Sequence, residues 1–202
     1  MTMIYGRWKK DRKLLRLGSV LSGIFRIPIL AFMNIEDFNK AMDYWIAALD
    51  QYTFDQLLIK PSPETWSVGQ MYIHLIVDTT FFIDQIRICI LTNENAHAES
   101  LPFASAMLKN NDFPDEIIQG SPDNVFIPQP ENKEQLFRDL LRIKGEMNVV
   151  AASIAGSPFI GKSKHPGLGY FRAAEWLQFA EMHLRHHRRQ KCRLDHFLFL
   201  HS

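Results

Sequence analysis

Cysteine is scarce: two residues, Cys89 and Cys192, in a chain of 202, with no short pairing motif around either. That argues against a disulfide framework and suits a reducing, cytoplasmic compartment. Both fall in apolar-rich helical segments, where buried free thiols are common. An excess of one charge is missing too. Twenty-three Lys and Arg stand against 22 Asp and Glu, a formal net charge of +1. No global basic field speaks for nucleic acid. Internal repeats, low-complexity tracts and a clear alternating strand pair are all lacking. What remains is a helical pattern.

Packing material is plentiful. Apolar residues make up 47% of the chain, including fifteen Phe and four Trp, enough for one domain or one domain plus an extension. Residues 1–33 read as a basic extension, because seven Lys and Arg (Arg7, Lys9, Lys10, Arg12, Lys13, Arg16 and Arg26) face the single acid Asp11. Arg16, Arg26 and Pro28 interrupt the apolar stretch from Leu14 to Phe32, and no small-residue cleavage site follows. A membrane span is not expected. Two readings stand for the extension: a basic amphipathic surface helix, or a mis-assigned start with the initiator at Met33. Residues 34–202 form the expected domain.

Within it, Phe38, Ala41, Met42, Trp45, Ile46 and Leu49 recur at three- and four-residue steps, which predicts an amphipathic helix over 35–58. Pro61 and Pro63 end it, and Ser67 is placed to cap a second, strongly apolar helix over about 68–91. Residues 93–131, rich in Asn, Pro and Gly, read as a long connection with room for short helical turns. A third helix is expected over about 133–154. After a Gly- and Pro-rich loop a fourth runs over about 173–199. The fold class is all-α, a four-helix bundle with a long crossover between the second and third helices.

The chemistry concentrates in the fourth helix. His183 and His187 are four apart, so their rings leave one face about 6 Å apart. Trp176, Phe179, Ala180, Leu194 and Phe197 share that face, whereas Arg185, Arg188 and Arg189 point elsewhere. Two inward imidazoles without partners are costly, on the order of 1–3 kcal/mol each; a shared metal ion satisfies both, and so does ordinary hydrogen bonding within a core stripe. Leu184 stands where a zincin needs its catalytic Glu, which disfavours metalloprotease chemistry. His74 is the natural third donor, on the stripe Met71, His74, Leu75, Asp78, Phe82 of the second helix. Asp78, one turn on, has three roles open to it: fourth ligand, orienting acceptor or general base. A plain salt bridge is the bland alternative. His97 and His165 lie in loops and read as solvated surface residues, and His196 and His201 as surface or interfacial ones. Arg188 and Arg189 read as an exposed face open to an anion.

The stretch Pro63-Glu-Thr-Trp-Ser-Val-Gly-Gln-Met-Tyr-Ile-His-Leu75 resembles the signature of the DinB/YfiT superfamily, in which a Trp-Ser turn starts the second helix. The segment His183-Leu-Arg-His-His187, followed by Gln190, resembles the family's closing motif. The resemblance covers about 34–199. It implies that His74, His183 and His187 bind one divalent metal, that His186 does not, and that the protein forms a homodimer. Imidazole ligands suit Zn, Ni, Cu and Fe alike, with Zn or Ni favoured here. The family also implies an enzyme that transfers a low-molecular-weight thiol to an electrophile. Metal-dependent hydrolysis is the runner-up, and a non-catalytic metal- or small-ligand-binding stress-response module is the reading from another class. Fold likeness alone does not fix the reaction.

Overall fold

The computed structural model describes residues 29–114 and 127–200, with side chains from residue 35 to residue 199. The basic segment over 1–28, and with it both readings of the extension, lies outside the described residues, as does His201.

Four long helices, α1 (Ile29–Leu49), α3 (Val68–Cys89), α5 (Lys133–Ile154) and α6 (Ala173–Leu200), make the bundle. Two shorter ones, α2 (Phe54–Leu58) and α4 (Pro102–Asn110), sit in the connections. Helix α6 packs between α1 and α3, and α5 closes the square on the other side. The core is continuous across all four, with Trp45, Tyr72, Leu75, Leu140, Ile143, Trp176 and Leu184 buried. The expected all-α class holds.

The single helix expected over 35–58 is in fact two. α1 stops at Leu49, and Thr53 caps α2 through a box with Gln56, each side chain bonding the other's backbone N–H. This break lets Tyr52 turn inward, where its hydroxyl donates to Asp195 on α6.

Ser67 starts α3 in the same way. Its hydroxyl accepts from Gln70 N at 3.0 Å and donates to Gln129 Oε1 at 2.7 Å, while Gln70 Nε2 donates to the carbonyl of Ile127 at 2.6 Å. The returning end of the crossover is thus tied to the first turn of α3. Gly69 permits this, since a Cβ there would lie 2.7 Å from both Leu57 O and Pro130 Cγ. Replacing Ser67 by Ala should cost about 1–2 kcal/mol, from the lost cap. Urea unfolding measures it, and an unchanged midpoint would contradict the assignment.

A strand pair exists where none was expected. β1 (Lys162–His165) and β2 (Gly169–Arg172) form an antiparallel hairpin, with His165 opposite Gly169. Gly169 has φ +86°, a backbone conformation suited to glycine, and Ser100 bridges to it. With four residues per strand and no alternation in Lys-Ser-Lys-His, the pattern carries no period-2 signal. Its inner edge is held by Ser163, whose hydroxyl accepts from Trp176 Nε1 at 2.7 Å and meets Cys89 Sγ at 3.3 Å. Cys89 is buried, as expected; Cys192 is exposed, contrary to expectation.

Candidate metal centre

Helices α3 and α6 run side by side, and their facing stripes bring together His74, His183 and His187, all buried. His74 Nε2 lies 3.0 Å from His187 Nε2, which lies 3.1 Å from His183 Nε2. Among the described residues these three offer ligand atoms within 4.8 Å of one another. Rings from two helices, 113 residues apart in sequence, converge on one point.

The partners on the far side of the rings decide what that point suits. His187 Nδ1 sits 2.7 Å from Gln190 Oε1. An amide oxygen only accepts, so Nδ1 carries the proton and Nε2 a bare lone pair. His74 Nδ1 faces Asp78 Oδ1 at 3.5 Å, which favours the same tautomer. Two lone pairs then face each other across 3.0 Å, an arrangement that repels unless an electrophile sits between them. Nitrogens sharing an ion at about 2.0–2.1 Å stand roughly 2.9–3.4 Å apart, according to coordination number. The observed spacings match, so the donor set fits a divalent metal.

Burial keeps the imidazoles neutral, as metal ligands must be. Loss of solvation lowers His74 to about 4 and His187 to about 3, with neighbouring histidines adding to it. His183 is pushed well down for the same reasons. Among the described residues its Nδ1 is buried without a hydrogen-bond partner.

Asp78 is part of the site. One carboxylate oxygen faces His74 as above, and the other lies 3.4 Å from His183 Nε2, so the residue spans both helices. Burial raises its carboxyl to about 6. Trp66, just before the Ser67 cap, covers His74 with ring centroids 4.8 Å apart. On the other flank Arg185 binds Glu181 at 2.6 Å and the carbonyl of Asn111 at 2.6 Å. That holds the turn at 111–113 and sets Phe113 against Phe179 and His186, at 5.3 and 5.0 Å. His186 stands outside the convergence, as expected.

Two surface expectations need correction. His165 is not a solvated loop residue: it belongs to β1, half-buried, its ring stacked on Trp176 at 5.6 Å and 5.2 Å from Phe179. Only the tertiary placement of the hairpin puts it there. Arg188 and Arg189 are half-buried rather than an exposed face. Arg188 lies over the Tyr44 ring at 4.2 Å, and Arg189 donates to the carbonyl of Phe113 at 3.3 Å. His97 and His196 are exposed.

The model of the DinB superfamily matches residues 37–190, and the chain belongs to that family. The matched span contains all three histidines, Asp78 and Gln190. No curated protein and no solved structure matches the chain. Among the described residues no helix is long and apolar enough to cross a membrane.

Gln190→Ala should weaken metal binding about 10–100-fold, the usual cost of losing an orienting partner, with little change in melting temperature. Competition with a chromophoric chelator reads the affinity. Wild-type affinity in the variant would remove Gln190 from the site.

Proposed function

We propose that the protein is a metal-dependent enzyme of the YfiT-related kind, which transfers a low-molecular-weight thiol to an electrophilic carbon. The observation that carries this reading is the convergence of three imidazole Nε2 atoms beside a half-exposed carboxylate. His74, His183 and His187 would hold one Zn or Ni ion, whose Lewis acidity lowers the pKa of a thiol or water brought to it. Three protein ligands leave room for one.

Asp78 accepts the thiol proton. The sulfur electron pair then forms the new carbon–sulfur bond while the leaving group departs with its own pair. Trp66 and Phe113 flank the rings and keep bulk water from them. Catalysis within residues 34–202, a cytoplasmic setting and a homodimer belong to the same reading.

The test is a panel of small thiols with an alkylating acceptor, run on metal-loaded protein and scored by thiol consumption. Asp78→Asn should reduce kcat by about 10²-fold or more, the usual weight of a general base, with metal content retained. Consumption no faster than the blank across the panel would sink the transferase reading. Ester or amide cleavage in its place would favour hydrolysis.

A further inference from the structure

We propose that Phe81 and His165 are two walls of a subsite for an aromatic or other planar apolar group of the substrate, beside the three-histidine centre. The inference rests on the metal-site reading and extends it to the class of substrate.

Phe81 follows Asp78 by three residues on α3, so the two share a face. The residue is 37% exposed, so part of its apolar surface is open to a ligand. Its inner side meets the edge of Trp176 at 5.8 Å. His165 lies against the same indole, nearly parallel, with rings inclined by 24°. Trp176 is fully buried and is braced by Phe82 at 5.7 Å. It therefore acts as a fixed backing for both walls.

The link to the metal centre is short. Phe179, 5.2 Å from His165, is stacked on His183 at 6.4 Å with 20° between the rings. One ring separates His165 from a ligand histidine. On the α3 side, Asp78 touches that same histidine. Phe179 stands between His165 and His183, and Phe81 is one helical step from Asp78, so each wall lies one side chain out from the ligand set.

His165 also offers a polar edge of fixed character. Its Nδ1 accepts from Gly167 N at 3.1 Å, so Nε2 carries the proton. That N–H has no hydrogen-bond partner among the described residues. The group that fits is planar and apolar, with an acceptor at its rim.

Two chelators isolate the effect. Acetohydroxamate and benzohydroxamate bind metal through the same two oxygens and differ in methyl against phenyl. Full-length protein loaded with Co(II) is titrated with each, following the d–d absorption, and the affinity ratio is referred to that for free Co(II). Phenyl should be favoured about tenfold, from apolar area buried on the walls. Phe81→Ala, a partly exposed position, should bring the ratio to within about twofold, with cobalt uptake and melting temperature unchanged. His165→Ala should do the same to the ratio. A ratio near that of free cobalt in the wild type, or one insensitive to Phe81→Ala, overturns the subsite alone. Failure of the wild type to take up cobalt overturns the subsite and the metal centre together.

Discussion

Replacing His183 by alanine should abolish stoichiometric metal binding. The ring is buried and supplies one of three convergent nitrogens, 3.1 Å from the next. Losing an orienting partner costs about 10–100-fold in affinity, and losing a ligand should cost well beyond that. Metal analysis of untagged protein measures it, alongside His97→Ala, an exposed histidine outside the site. Full occupancy in His183→Ala would end the metal reading. The bundle should survive the change and even gain when metal is absent, because His183 Nδ1 is a buried polar atom with no partner among the described residues.

Protein stripped of metal should lose stability steeply as pH falls from about 6.5 to about 4. The sign follows from which state binds protons. His74 titrates near 4 and His187 near 3 when folded, both lowered by burial, against 6.5 when unfolded. Between those values the unfolded chain takes up protons that the folded chain refuses, so acid favours unfolding. The penalty is absent above the unfolded value. For His74 alone it approaches an order of 3 kcal/mol at full extent. Asp78 works the other way: its carboxyl, raised to about 6 from 3.8, makes the folded state the better proton binder below 6. One such group offsets part of the histidine loss. Thermal melts in chelator at half-unit pH steps check the slope. A flat profile from 7 to 4.5 would mean that the rings are solvated rather than buried. Bound metal should hold the profile up until protons displace it.

Much of this was readable beforehand, for physical reasons. A helix repeats at 3.6 residues, so His183 and His187 had to share a face, and Trp176 and Phe179 marked that face as inward. Ser67 followed by Gln70 announces a capped start, and His74 then falls on the stripe with Leu75. Thr53 followed by Gln56 is the same signal and splits the first helix, but Tyr52 and Phe54 keep three-residue steps to Leu49 and Leu57 and obscured the break. Asp78 reaching His183 is a contact between helices, and the period of one helix says nothing about its neighbour. The hairpin was hidden because its four-residue strands lack alternation. Its consequence for His165 was hidden too, since burial there comes from Trp176 and Phe179 arriving out of another element.

His74 and His187 are 113 residues apart, so an ion joining them is a clasp on a very long stretch of chain. Cross-links that span long loops restrict the unfolded ensemble most, by chain-entropy arguments. Removing the ion should therefore lower global stability more than it disturbs the folded outline. Selection of one metal over another also falls to the finished bundle, since no short peptide of this sequence contains the whole ligand set.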